Sequence, residues 1–450
     1  MIMDTAHIVE KVRAAGIVGA GGAGFPTHVK LSSRVDTVIA NGAECEPLLR
    51  CDKAVMRQRT AEVLKGLGIL AAVTGAGRQV LALKGHYPET VARVREVAAS
   101  DFPEVEIHEL DNFYPAGDEQ VLVNDVTGRV VPEGGIPLEV GVVVNNVITL
   151  GQITRAVELG QPVVSRALTV AGEVRRPITL ELPIGAPMGL AIELADGPTV
   201  HEWVIVEGGP MMGRVVQDAW EPVTKRTSGV IVLPRDHPLV LRKLSPMDKE
   251  VRVARTVCCQ CRMCTDLCPR HMLGHQIAPH LAMRSLCTDL VSETVSEQVT
   301  SALLCCLCGV CEVMACPLTL SPRKVFEQMR AELARAGVPN PHRRKEPQPH
   351  EFQRLRRVPL PRLMARLGLE KYMDTPDLVD LEVPTVPEVR IPCHQHTGAP
   401  AVPVVKEGDR VNIGDLIAAV PEGKLGAPVH ASISGQVNRV DDHEIRIQSC

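Results

Sequence analysis

The sequence predicts a multidomain α/β protein whose folded units follow one another along the chain. Three observations carry this. Residues 1–162 alternate helix-period and strand-period segments. Residues 163–245 and 387–450 are short β-branched runs broken by glycine and proline. Between them lie two cysteine runs, each compact enough to need only short helices and loops around it. At 450 residues the length prior is roughly three domains, so each unit must be small.

The elements follow in order. Residues 6–15 read as a helix ended by Gly16, and residues 35–40 (VDTVIA) as a strand stopping at Asn41-Gly42. Residues 53–74 have helical periodicity, 79–84 (QVLALK) form a buried strand, and 88–99 a helix. A strand is expected at 105–110 and another at 139–144, after which 146–157 turns helical. Strands separated by helices imply a parallel sheet, hence an α/β domain over 1–162. The runs ALTVAGEV, WVIVEGG and GVIVLP then suggest a small β domain of ubiquitin-like size over 163–245. The cysteine module fills 246–336, with a helix from Pro322. Residues 337–386, rich in proline, arginine and histidine, suit a linker. Residues 387–450 hold two hairpin-like halves with glycine turns, a final all-β domain.

Composition narrows the function classes. Only 2% of residues are aromatic, so the core must be aliphatic. A net charge of −4 and a pI of about 6.4 argue against nucleic acid or an anionic membrane as partner. No apolar run reaches the roughly 18–20 residues that span a bilayer. The amphipathic N-terminus lacks a signal peptide's apolar centre, which points to the cytoplasm.

The cysteines fix the class of chemistry. Cys258, Cys261, Cys264 and Cys268-Pro269 follow the C-x-x-C-x-x-C-x3-C-P spacing of two-cluster ferredoxins, as do Cys305, Cys308, Cys311 and Cys316-Pro317 with one extra residue before the last cysteine. Thiolates are soft ligands for iron–sulfur or zinc, and triple runs with a distal Cys-Pro favour clusters over the paired C-x-x-C of zinc ribbons. In such modules the distal cysteine ligates the other cluster. One [4Fe–4S] cluster is therefore assigned to Cys258, Cys261, Cys264 and Cys316, the other to Cys305, Cys308, Cys311 and Cys268. Cys259 and Cys306 are read as non-ligands, and Cys45 and Cys51 as ordinary buried thiols. Cys393 with His394 and His396 is read as a surface strand without a metal. The terminal hairpins lack a carrier's lysine motif, since Lys424 has the wrong flanks.

Two further segments are suggestive. Gly19, Gly21 and Gly24 match G-x-G-x-x-G, but a helix rather than a strand precedes them, so the dinucleotide fingerprint is incomplete. Bare backbone N–H groups there can still cradle a phosphate, and Lys30 lies close enough in sequence to pair with one. Asn41-Gly42-Ala43-Glu44-Cys45-Glu46 follows a strand, where open α/β sheets place ligands.

These segments together resemble a known family. GAGGAGFPTHVK resembles the flavin loop GRGGAGFPTGLK of the NADH-oxidising subunit of respiratory complex I, and NGAECEP resembles that family's NADESEP. YPAGDEQ, VVPEGGIP and VVVNNVITL are similar to the C subunit of the Rnf electron-transport complex, as is EGGPMMG, typical of its SLBB domain. The Rnf subunit carries its barrel-sandwich unit at the N-terminus, whereas QHTGAPAVPVVKEGDRV and GAPVHASISGQV are C-terminal here. That order, with CxxCRxCTDLCPR, is similar to the cobalamin reductases of propanediol-utilising microcompartments.

The resemblance implies four units: a complex I flavoprotein-like α/β domain, a β-grasp SLBB domain, an α-helical two-cluster ferredoxin module and a barrel-sandwich domain. It implies FMN, two [4Fe–4S] clusters, NADH as donor and cob(III)alamin as acceptor. It also implies a setting inside a bacterial microcompartment, with an adenosyltransferase and shell proteins as partners. The alternatives are another redox partner protein as acceptor, as in Rnf, or a non-catalytic relay. By motif, the flavin residues would be Gly19, Gly21, Gly22, Gly24, Lys30, Asn41, Glu44, Glu46, Asn146 and Thr149. Glu119 would stand at the acidic pair of complex I, replaced here by Asp118-Glu119, and Ala20 replaces the loop arginine. No acid–base catalyst is assigned, because electron transfer needs positioning and electrostatics rather than proton abstraction.

Overall fold

A computed structural model describes residues 4–286 and 296–449; Cys287 and Cys450 fall outside them. The first domain is a four-stranded parallel sheet of β1 (Thr37–Gly42), β2 (Arg78–Lys84), β3 (Val105–Leu110) and, after the two-residue β4 (Phe113–Tyr114), β5 (Val142–Asn146). The strand order is β3-β2-β1-β5, with Asn41 of β1 opposite Asn146 of β5. Helices α1 (Thr5–Ala14), α2 (Thr27–Leu31), α3 (Cys51–Gln58), α4 (Thr60–Thr74), α5 (Pro88–Asp101), α6 (Glu119–Thr127) and α7 (Val147–Leu159) complete it. Six of them, α1 to α5 and α7, bury an aliphatic core on one face, while α6 covers the other around Ile39, Val80 and Val144. From β1 the chain runs outward through β2 and β3, then returns to lay β5 on the other side of β1. The carboxyl ends of β1 and β5 therefore flank the reversal point of the sheet, where open α/β folds bind ligands.

Two helix–strand boundaries differ from expectation. The helical stretch 53–74 is two helices, because Arg59 (φ −129°) breaks it. The strand expected at 139–144 is β5 at 142–146, preceded by a 3-10 turn over Pro137–Val140 that ends in left-handed Gly141.

The second domain packs α8 (Met188–Leu194) beside a mixed sheet of β6 (Ser165–Gly172), β7 (Ile178–Pro183), β8 (Trp203–Glu207), β9 (Arg214–Val216) and β10 (Gly229–Pro234), with β6 and β10 parallel and central. The cysteine module is short helices and loops, closed by a helix over Pro322–Arg335. The extra residue before Cys316 is absorbed by a π-helical turn at Cys311–Ala315, the wider turn that one added residue produces.

Residues 337–386, expected as a linker, carry structure. Val358–Pro359 pairs with β4, Leu360–Leu367 is a helix, and Leu378–Asp380 adds a parallel edge strand to β7. The segment thus stitches the first two domains to the cysteine module. The C-terminal domain is two small sheets, one of four strands and one of three, that do not close into a barrel. His394 and His396 lie in the turn after the strand Glu388–Pro392 rather than in a strand. His396 is buried, its ring nitrogen 2.9 Å from the Ala399 carbonyl.

Candidate redox site

The glycine loop lies against the carboxyl end of β5. Thr149, in the first turn of α7, accepts the Ala20 N–H at 3.0 Å, and the Gly19 N–H donates to Phe25 O at 2.9 Å. A Cβ at Gly21 would meet Asn146 at 3.8 Å, and Gly22 (φ +110°) has open space around it. The loop's back is fixed from two other domains: Arg226 donates to Gly22 O at 2.8 Å, Arg166 to Ala20 O at 2.8 Å, and Thr397 to Ala23 O and Gly24 O, each at 2.9 Å. What remains is a strip of bare backbone.

The predicted polar residues gather around it. Lys30 donates to Glu119 and to Val144 O, both at 2.8 Å. Asn41 donates to Gly117 O at 3.0 Å and caps its own turn. Asn146 caps α7 through the Ile148 N–H and donates to both Asp52 carboxylate oxygens, at 3.0 and 2.9 Å. Glu44 accepts the Asp52 and Lys53 N–H groups at the start of α3, each at 2.9 Å, a usual anion position at a helix N-terminus. Burial and the neighbouring Asp52 carboxylate push Glu44 up to about 7, and burial pushes Asp52 up to about 6.

Glu46 does something else. Its carboxylate reaches into the second domain and accepts the Met211 and Met212 N–H groups, each at 2.9 Å. The geometry makes it a fastener between domains.

Sequence reasoning missed Lys84 and Asn145. Both are buried at the carboxyl ends of β2 and β5, and Lys84 Nζ and Asn145 Nδ2 have no hydrogen-bond partner among the described residues. Burial lowers the Lys84 pKa. Unmet buried donors are costly, so they fit an acceptor-rich anionic group such as a flavin nucleotide. The available signal was a lysine ending an otherwise apolar strand at the ligand-binding edge.

The eight cysteines fall into the two crossed groups. Cys258, Cys261, Cys264 and Cys316 line one surface pocket. Cys268 instead neighbours Cys305, Cys308 and Cys311 electrostatically. Among the described residues, the one trio of ligand-type atoms within 4.8 Å of one another is Glu44, Cys51 and Asp52, so no three sulfurs of either cysteine group lie that close together. A tetrahedral zinc, with Zn–S of about 2.3 Å, would need S···S distances of about 3.8 Å. The open spacing fits a polynuclear cluster. The groups touch where Cys264 and Cys311 pack with Ala315. Cys306 lies in direct reach of Arg270, which holds Asp118 at 2.8 Å.

The chain also compares closely with known proteins over nearly its full length. Cobalamin reductase PduS of Salmonella typhimurium is 42% identical over 452 residues, covering 99% of this chain and 97% of its own. The chain belongs to the cobalamin reductase PduS family. The PduS of Citrobacter freundii is 41% identical with the same coverage. The C subunit of the ion-translocating oxidoreductase complex of Rhodobacter capsulatus is 36% identical over 58% of this chain and 49% of its own. Family models match in sequence along the chain: a Nuo51 FMN-binding domain at 12–155, an SLBB domain at 168–215, a 4Fe-4S dicluster domain at 257–321 and an RnfC barrel sandwich hybrid domain at 375–449. This PduS-family chain is thus an oxidoreductase with an FMN-binding and an iron–sulfur domain. No helix among the described residues is long and apolar enough to cross a membrane.

Proposed function

We propose that this chain oxidises NADH at the β1/β5 cradle and passes the electrons singly, through two [4Fe–4S] clusters, to cob(III)alamin. One observation carries the reading. Glu119 pairs with Lys30 at the cradle, while the adjacent Asp118 pairs with Arg270, two residues past Cys268. The cradle and the cysteine groups are therefore linked through consecutive residues, which supports a route between them.

A hydride brings two electrons and a cluster takes one; bound FMN supplies the exchange between them. The chain's own groups bind and orient. The loop backbone, Lys30 and Lys84 would hold the flavin nucleotide, with Asn41, Asn146 and Thr149 fixing the cradle's walls. Glu44, raised by burial and by the Asp52 carboxylate, can exchange a proton near neutral pH, beside the place where NADH oxidation leaves a proton behind. The crossed cysteine groups would hold the clusters. The same reading puts the protein in the cytoplasm within a microcompartment, supplying reduced corrin to an adenosyltransferase.

The test is anaerobic purification, flavin and iron analysis, and NADH added with cob(III)alamin. Flavin-dependent loss of the cob(III)alamin spectrum supports the reading. Dye reduction without corrin reduction would transfer the acceptor role to a protein, as the Rnf-type relatives suggest.

A further inference from the structure

We propose that the two cysteine groups work in a fixed order: Cys268, Cys305, Cys308 and Cys311 receive electrons from the flavin domain, and Cys258, Cys261, Cys264 and Cys316 deliver them to the acceptor at the face around Cys261. This rests on the reading that each group holds a cluster.

The groups differ in surroundings. In the first, Cys268, Cys308 and Cys311 are buried. Its peptide is bound to the flavin domain directly, since the buried Tyr114 hydroxyl donates to Cys308 O at 2.8 Å. Cys308 also shares an apolar cluster with Tyr114, Leu48 and Leu49, all from the flavin domain. The Asp118–Arg270 pair makes a second tie at Cys268's side. Arg323 donates to Met211 O at 3.0 Å, which closes this side of the module against the second domain.

The other group faces outward. Cys261 is exposed, and its pocket is rimmed by Gln260, Arg262 and Leu318. Met263 and Leu318 are 44% and 39% exposed beside it. Electron tunnelling falls exponentially with distance, so an acceptor in solution is served by the group it can approach. The contact of Cys264 with Cys311 and Ala315 gives the short step between the groups. The balance is simple: NADH becomes NAD+ and one proton, the proton leaves at the cradle, and two electrons pass in succession to one-electron acceptors.

Two variants test the order, read by electron paramagnetic resonance together with iron and flavin content. In Cys261→Ser the surface cluster is lost; NADH should still reduce the flavin and the remaining cluster, while transfer to cob(III)alamin disappears. Leu318→Glu keeps both clusters and should leave their reduction by NADH intact, while the rate to cob(III)alamin falls about tenfold, as at a contact centre. A remaining cluster in Cys261→Ser that NADH no longer reduces, despite a reduced flavin, would overturn the order. So would full cob(III)alamin reduction by that variant, or an unchanged rate in Leu318→Glu. Failure of the parent reading looks different: the unaltered protein would then bind no flavin or show no cluster reduction by NADH.

Discussion

Asp118 and Arg270 form an ion pair at 2.8 Å with both side chains 11% exposed, across the seam between the flavin domain and the cysteine module. Asp118 also caps α6, accepting the Gln120 and Val121 N–H groups at 3.1 Å. One carboxylate thus sets both the helix carrying Glu119 and the loop carrying Cys268. Removing one partner of a buried pair strands the other charge and costs about 3–5 kcal/mol. Arg270→Met should therefore lower the unfolding temperature and slow NADH-driven cluster reduction more than NADH-driven flavin reduction. Equal slowing of both steps would count against the seam as the electron route.

Glu46 should matter to stability and not to flavin affinity. Glu46→Ala leaves the buried Met211 N–H unmet, a loss of about 1–3 kcal/mol in denaturant unfolding. Gly209→Ala attacks the same clasp, because its Cβ would lie 2.1 Å from Glu46 Oε2. Folded Glu46→Ala protein should bind FMN as the unaltered chain does; a large rise in the FMN Kd would return Glu46 to the cradle.

The contrast between Glu44 and Glu46 marks what the sequence could disclose. Short-range spacing is legible: the cysteine runs, the glycine loop and the strand ends all announce themselves within a few residues. NGAECEP reads as one motif, yet Glu44 (φ +36°) and Leu48 (φ +68°) turn the chain there, and the two acids go to different domains. Only Met211, far along the chain, reveals the partner. Lys84 was hidden for a related reason, since QVLALK reads as a buried strand and only the sheet order places its end at the cradle. In 337–386 the pairing strands are two or three residues long, too short for periodicity to register against a proline-rich composition.

Lys84 should show opposite effects on stability and binding. Lys84→Met relieves a buried ammonium that has no partner among the described residues, so the flavin-free protein should be at least as stable as the unaltered one. The same change removes a charged donor worth about 1.5–3 kcal/mol to an anionic ligand, a rise in FMN Kd of about tenfold or more. Fluorescence titration with FMN measures it, and unchanged affinity would exclude Lys84 from the site.

Glu44 should make stability depend on pH. Its pKa is raised from 4.5 in the unfolded chain to about 7 by burial and Asp52. Between those values the folded state keeps a proton that the unfolded state has released, so stability falls as pH rises through this window and levels off above it. In Glu44→Gln this part of the slope should vanish, as read from denaturant midpoints across the window. An identical slope in the variant would place the titration elsewhere.

The central claim is that electrons from NADH enter at the β1/β5 cradle and reach the crossed cysteine groups within one chain. Anaerobic titration of the purified protein with NADH, following flavin absorbance and cluster resonance together, tests it directly. NADH should bleach the flavin and bring up reduced-cluster signals, and stripping the flavin should abolish both. Clusters that dithionite reduces but NADH does not, in protein carrying its flavin, would contradict it.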